Sequence, residues 1–298
     1  MHMFTCPGLP ASWVNGWLAG IGATVLDPRI RLHWTAEDAP MAVLSSVELD
    51  PVDALVESWP DEALLCDLPI ARDWRDLSEL KRNVAVEQFI ERARAARDHP
   101  HVWALSSTMT DLSIDQNGEV AHAPFDPPVP RGISIHERLL KVHNEATPMS
   151  RGLLQDSLLG LGERVRGNGL GFDVTRVGSL ADMSDKWIEP VVELLAFFGL
   201  AEFPFRGWGV DRRPSHHINP DERQRGWRTD VDGKERRFVW PAWRQPLDAA
   251  GIDALLDVWK PWRRGSWTPL GVHAAWQSVR YQGRGSADPT RAIGAAAL

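Results

Sequence analysis

Apolar residues recur every fourth position near the start of the chain and every second position soon after, which predicts a helix followed by strands. Trp13, Trp17, Ile21 and Val25 would line one helix face behind Ser12, a candidate N-cap. Gly16, Gly20 and Gly22 lower the propensity of that helix and predict its close packing against a sheet. Gly20-Ile21-Gly22 is not a phosphate loop, because no strand precedes it and the third glycine is missing. Ile30, Leu32 and Trp34 alternate with Arg31, His33 and Thr35, as in a half-buried strand, and 41–44 can pair back across 36–40 as a hairpin. Asp50-Pro51 opens a short helix with Asp50 as its cap.

Further along, 78–98 reads as a long charged helix ended by Pro100, and 102–105 and 111–114 read as strands. Asn117-Gly118 is a hairpin turn into 119–123. Four prolines in 124–132 mark a loop or linker between an N-terminal region, 1–123, and a C-terminal region, 133–298. Ser134 and Glu137 form a capping box for a helix through Ala146. A further helix spans 153–165, ended by Gly167. The segment 189–200, with Pro190 in its first turn, carries Leu194, Leu195, Phe197 and Phe198 on more than one side and predicts a helix buried nearly all round. Residues 238–241 and 272–281 read as strands, 248–261 as a helix capped by Asp248, and 292–298 as a frayed tail. Trp240, Trp243, Trp259 and Trp262 read as core, like the Trp13/Trp17/Ile21/Val25 stripe. The expected fold class is α+β, with helices, antiparallel strands and hairpins, and an Arg-rich insertion at 206–237.

Composition sharpens this picture at one place. The net charge of −7 hides an asymmetry: residues 201–298 hold 16 Lys/Arg against 11 Asp/Glu, leaving the first 200 residues at −12. Eight of the 15 Trp lie in the same C-terminal stretch. Its cations are nearly all arginine, whose planar fork suits phosphate or carboxylate. Arg206, Arg212, Arg213, Arg223, Arg225, Arg228, Lys234, Arg236 and Arg237 are interleaved with Trp208 and Trp227. Phosphates favour such cations and unpaired bases favour aromatic faces. The plainer alternatives are a solvated hairpin, whose cations pair with Asp211, Asp221, Glu222, Asp230, Asp232 and Glu235, and a contact with a protein partner.

Catalytic chemistry finds little purchase. His216-His217 lies beside Ser215, but adjacent histidines point to opposite sides of a strand, and no His-x-x-x-His spacing accompanies them. Ser45-Ser46 and Ser106-Ser107 lack a nucleophile elbow, and Asp182 and Asp185 read as turn and cap residues. No metal, cofactor or catalytic residue is expected. Cys6 and Cys66 are expected as buried thiols in a reducing cytosol. The most apolar stretch, 191–201, is about half of what a bilayer requires. Residues 1–5 lack the basic start of a secretory signal, so a cytoplasmic location without membrane contact is expected.

Three stretches suggest a family. The segment Pro10-Ala-Ser-Trp-Val-Asn-Gly-Trp-Leu-Ala-Gly-Ile-Gly-Ala23 resembles the Asn-Pro … Phe-Leu-Ala … Gly-Leu opening of CRISPR type I-U (I-G) effector subunits, with Ser12-Trp13 in place of Asn-Pro. Pro190-Val-Val-Glu-Leu-Leu-Ala-Phe-Phe-Gly-Leu-Ala-Glu-Phe-Pro204 resembles their internal Glu-x-Leu-Ala-x-x-Gly-Leu-x-x-Phe-Pro segment, and Arg284-Gly-Ser-Ala-Asp-Pro-Thr-Arg291 their C-terminal region. Together these cover about an eighth of the chain. The resemblance implies a non-catalytic, large-subunit-like component of a crRNA-guided interference complex. Such a chain would contact crRNA, target DNA or neighbouring effector subunits, with Arg284 and Arg291 joining the arginines of 206–237. The competing expectations are a stand-alone protein-interaction module and a hydrolase with a dispersed site around His216 or His217.

Overall fold

The computed structural model describes residues 1–67, 84–85, 109–114, 119–122, 135–167, 169, 187–202, 226–229, 236–280 and 293–298. Strand β1 (His2–Pro10) leads into helix α1 (Val14–Leu26), then the hairpin β2 (Arg31–Trp34) and β3 (Met41–Ser46). The expected alternation holds: Leu32 and Trp34 are buried while Arg31 is exposed, and Arg31 pairs with Ser45 and Trp34 with Ala42. β1 adds antiparallel to the other side of β3, giving the order β1-β3-β2. Helix α2 (Pro51–Glu57) starts as expected, with the Asp50 carboxylate accepting from the Val52 N–H at 3.0 Å. Helix α3 (Glu62–Asp67) follows.

Helix α1 does not begin where its sequence suggests. Trp13, not Ser12, is the N-cap residue and offers no side-chain cap. Asn15, inside the first turn, supplies an acceptor instead, taking the Gly16 N–H at 3.0 Å. Nor does the helix bury a single face. Trp17 and Ile21 are fully buried, Trp13 is 39% exposed, and nearly every other residue of the helix is covered. Two layers account for this. A Cβ on Gly20 would stand 3.3 Å from the Leu32 side chain, so that side rests on the sheet. A Cβ on Gly22 would come 1.8 Å from the backbone oxygen of Leu195, so the opposite side meets a helix rather than the expected sheet.

That helix is α6 (Pro190–Gly199), buried along its whole length as its sequence predicts. Glu189 caps it, accepting from Val192 N–H at 2.5 Å and from the Ser157 hydroxyl at 2.8 Å. Burial pushes the Glu189 carboxyl up, against the opposing effect of these hydrogen bonds. The contact with α1 is reciprocal, since a Cβ on Gly199 would stand 2.1 Å from the oxygen of Leu18. Two glycines thus let two backbones touch where any side chain would hold them apart.

Between these elements lie α4 (Ile135–Glu145) and α5 (Arg151–Leu159). α5 is shorter than expected at its end and begins earlier. Ser150 caps it, and Gly160, at φ 80°, turns the chain out of the helix well before Val165. Gly160 also lies directly against Gly8 of β1. The strand pair β5 (Met109–Ile114) and β6 (Glu119–His122) forms the expected hairpin, and β4 (Val84–Ala85) pairs with β6. Val84 and Ala85 are therefore extended, not part of a continuous 78–98 helix: strand partners outweigh local helix propensity here. The strand expected at 102–105, the Ser134/Glu137 box and the linker 124–132 lie outside the described residues. β7 (Val165–Arg166) and β8 (Trp187–Ile188) form a short pair.

The last sheet runs β12-β11-β10-β9, built from β9 (Trp227–Thr229), β10 (Arg236–Trp243), β11 (Val272–Arg280) and β12 (Ile293–Ala297). Helix α7 (Ala249–Val258) connects β10 to β11 and is capped by Asp248, which accepts from Gly251 N–H at 2.8 Å. The expected frayed tail is instead strand β12, with Trp276 opposite Ala297 and Arg280 opposite Ile293. Its small side chains gave no apolar alternation to read, and the open edge of β11 supplies the hydrogen bonds that order it.

One apolar cluster runs from Cys6 to Trp276. Indole N–H groups tie its two ends together: Trp17 donates to Pro241 O at 2.7 Å, Trp240 to Ala11 O at 2.8 Å and Trp243 to Leu32 O at 3.0 Å. The rings of Trp17, Trp243 and Trp34 meet edge to face in series, at 6.4 and 6.1 Å. Cys6 is a free, fully buried thiol, and burial pushes its pKa up, out of the reactive range. Near the surface, Asp27 holds Arg29 through a bidentate pair and accepts from the Ser58 hydroxyl at 2.8 Å. Burial raises its carboxyl, but the Arg29 and Ser58 hydrogen bonds outweigh that and hold it below the usual carboxylate value. Among the described residues no helix is long and apolar enough to cross a membrane.

Candidate nucleic-acid interface

The arginines singled out by sequence fall into two groups. Arg228, Arg236 and Arg237 lie on the β9–β10 hairpin. Arg206, Arg212, Arg213, Arg223, Arg225, Arg284 and Arg291 lie outside the described residues, as do Lys234, His216 and His217.

The hairpin is held from its core side. Phe238 is fully buried, stacks on Trp240 at 5.5 Å and meets the edge of Trp17 at 6.0 Å. Its backbone N–H donates to the Ser278 hydroxyl at 2.8 Å. Gly226, at φ 80°, turns the chain into β9 directly over that ring, where a Cβ would stand 2.3 Å from Phe238 Cε2. Its carbonyl accepts from Val239 N–H at 2.7 Å. These contacts place β9 at one end of the sheet, with Trp227 opposite Phe238, Arg228 opposite Arg237 and Thr229 opposite Arg236.

Strand alternation then sets the charge pattern. Phe238 and Trp240 face the core, so Arg237 belongs to the opposite face, and Arg228 is its register partner on β9. Like charges in directly opposed positions repel, and an anion between them removes that cost. Arg237 is half-buried, and its guanidinium donates to Gln277 Oε1 at 3.5 Å, a long contact. A backbone phosphate is an anion of suitable geometry for such a fork.

A second cationic place escaped the sequence reading. After α7 the chain runs Trp259-Lys-Pro-Trp-Arg-Arg-Gly-Ser-Trp267 through a 3-10 turn at Arg264–Ser266. Trp259 and Trp267 are buried, as core residues should be, but Trp262 is 61% exposed, which corrects its assignment to the core. Arg263 and Arg264 are exposed beside it. The signal was present in the sequence: Pro261 and Gly265 bracket Trp-Arg-Arg, the punctuation of a surface turn. Reading the tryptophan by hydrophobicity alone concealed it.

Among the described residues no group of three or more His, Cys, Asp and Glu side chains is placed to hold a metal ion. Three histidines sit near the first sheet and α4 instead. His143 donates from Nε2 to Pro60 O at 2.7 Å, and His273 from Nε2 to Thr35 O at 3.0 Å, each anchoring a loop. Burial lowers the pKa of His273 and of His33. Comparison with known proteins adds no relative: no protein-family model matches the chain, and no curated protein matches it.

Proposed function

We propose that this chain is a non-catalytic subunit of a CRISPR type I-U (I-G) crRNA-guided interference complex, contacting nucleic acid through its C-terminal arginines and neighbouring subunits elsewhere. The observation that carries the reading is the pairing of α1 with α6. The two longest stretches of family resemblance, Pro10–Ala23 and Pro190–Pro204, are separated by well over a hundred residues. Yet Gly22 of one meets Leu195 of the other, and Gly199 meets Leu18. The resemblance therefore falls on one packed unit, whose glycines are the residues that such packing requires. The arginine register on β9–β10 supports nucleic acid as a partner. A cytoplasmic location and the absence of catalytic residues and cofactors belong to the same proposal.

Expression of the chain with its genomic neighbours, followed by purification on this subunit, tests it. A small RNA of uniform length should co-purify, and a preparation free of RNA and of partner proteins would sink the reading. The location of the contact is tested separately. Reversing charge at Arg212, Arg213, Arg225 and Arg228 should weaken nucleic-acid binding and flatten its dependence on salt, since each lost phosphate contact removes about 0.7–0.9 from the slope. An unchanged slope in the quadruple variant takes this region out of the interface.

A further inference from the structure

We infer that His273 is an acid-released latch between the two main sheets: its neutral ring ties the start of β11 to the end of the β2–β3 hairpin, and its protonation lets that hairpin end fray while the rest of the joint holds. It holds whether or not the chain serves in an effector complex.

The latch consists of one ring and one carbonyl. His273 Nε2 lies 3.0 Å from Thr35 O. A carbonyl only accepts, so Nε2 carries the proton and, in the neutral ring, Nδ1 carries a lone pair. That Nδ1 is buried and, among the described residues, has no hydrogen-bond partner. An imidazolium would place a second N–H and a share of positive charge at the same spot, where no acceptor receives it. Burying an unpaired charged donor costs more than leaving a neutral lone pair unpaired.

The charged surroundings add to that cost. Arg244 follows β10 and donates its backbone N–H to Gly271 O at 3.0 Å, two residues before His273, and its charge opposes a second one on the ring. The hairpin loop carries Glu37 and Asp38, both exposed, and neither is bonded to His273 among the described residues. β2 carries His33, whose own Nδ1 is buried without a partner, and β12 carries no charged side chain. Burial is the largest cause of the lowered pKa of His273; the Thr35 bond opposes it and Arg244 adds to it. The folded protein therefore binds this proton less readily than the unfolded chain does. Stability held by the neutral ring is present above about pH 6.5, the ordinary histidine value, and is lost as the pH falls from there through the lowered value of the folded state.

What is released is local. His273 is half-buried, so a charged ring can turn out to solvent, and turning breaks the bond to Thr35. Beside that bond lie the two that close the hairpin end, Thr35 N–H to Met41 O at 3.0 Å and Met41 N–H to Thr35 Oγ1 at 3.0 Å. Residues 36–39 beyond them are exposed, so nothing else among the described residues covers this end. One pair further in, the joint is held by groups that do not titrate. Leu32 N–H donates to Leu247 O at 2.7 Å, Leu247 N–H to Leu32 O at 3.0 Å, and the Trp243 indole to Leu32 O at 3.0 Å.

The test is amide hydrogen exchange of the full-length protein at about pH 7.5 and about pH 5, on either side of the ordinary histidine value, beside His273→Gln. The glutamine amide can donate to Thr35 O but does not titrate, and comparing the two proteins at one pH cancels the intrinsic pH dependence of exchange. At the higher pH both should protect the Thr35 and Met41 amides alike. At the lower pH the wild type should exchange them several-fold faster than the variant, with the Leu32 amide protected in both. The His273 ring, followed by NMR and assigned by the resonance missing from His273→Gln, should titrate below about 6.5. Arg244→Gln should move that midpoint upward, and because Arg244 is exposed this variant serves even if His273→Gln does not fold. Three results would overturn the inference: a ring that titrates at or above about 6.5, equal exchange of Thr35 and Met41 in wild type and His273→Gln at low pH, or loss of Leu32 protection in step with theirs. The last would mark acid unfolding of the whole chain instead of a latch.

Discussion

Replacing Gly22 by alanine should lower the melting temperature by several degrees or abolish soluble folding, although alanine is the better helix former. In an exposed helix the change would stabilise by up to about 1 kcal/mol. Here the new methyl would lie 1.8 Å from the Leu195 oxygen, which is backbone and cannot rotate away. The two helices would have to separate, and overpacking of this kind costs about 1–3 kcal/mol and occasionally more. Separation also loosens the Gly199–Leu18 contact on the same seam. Gly152 on α5 is the internal control, because a Cβ there meets nothing within 4 Å. Gly152→Ala should leave stability unchanged or slightly raised. Thermal denaturation of the two variants side by side decides the matter, and equal shifts would show that the α1–α6 approach is not glycine-dependent.

Phe198→Ala should cost about 3–5 kcal/mol. Phe198 is fully buried, and Phe197 meets it edge to face at 5.5 Å, so truncation removes both its transfer energy and a ring contact. Domains typically hold about 5–15 kcal/mol of net stability, so the loss would be visible as a clear drop in the melting temperature of the isolated chain. Denaturant unfolding should show a lower midpoint with the slope retained. The alternative role for this helix is a docking surface for another subunit. In that case the free chain would keep its melting temperature and lose assembly. A melting temperature unchanged by Phe198→Ala would refute the core assignment.

Both predictions concern the same pair of helices, and that pair links fold to function. α1 and α6 form the centre on which the first and last sheets rest: Gly20 seats α1 on β2, and Trp17 of α1 reaches Pro241 of β10. The hairpin bearing Arg228, Arg236 and Arg237 is anchored through Phe238 to that same Trp17. If the chain binds nucleic acid as proposed, a mutation in the glycine seam should disturb that binding indirectly. Charge reversal on the hairpin should disturb binding without unfolding, and melting curves separate the two effects.

Much of the local structure was legible in residue order because its causes are local. Asp50-Pro51 and Asp248 begin helices because a carboxylate one turn from free N–H groups and a proline in the first turn favour a start wherever they occur. The alternation of Ile30 to Thr35 predicts a strand because period two and a half-buried sheet are one geometric fact. The buried character of α6 follows from its lack of a polar stripe. The concentration of arginine after residue 200 is likewise a property of composition alone.

What escaped the sequence depends on neighbours distant in the chain. Val84 and Ala85 are extended because β6 is beside them, and 293–297 is a strand because β11 has an open edge. Gly22 reads as a weak point in a helix until Leu195 is placed against it. Trp262 and Trp243 have the same side chain, yet one is exposed and the other fully buried with its N–H on Leu32 O. The sequence by itself determined where α2 and α7 begin, which segments are apolar and where the cations gather. Only the tertiary structure decided which apolar residues have a partner to cover them, because burial is a property of pairs of surfaces and strand pairing a property of pairs of strands, and neither is written in one segment alone.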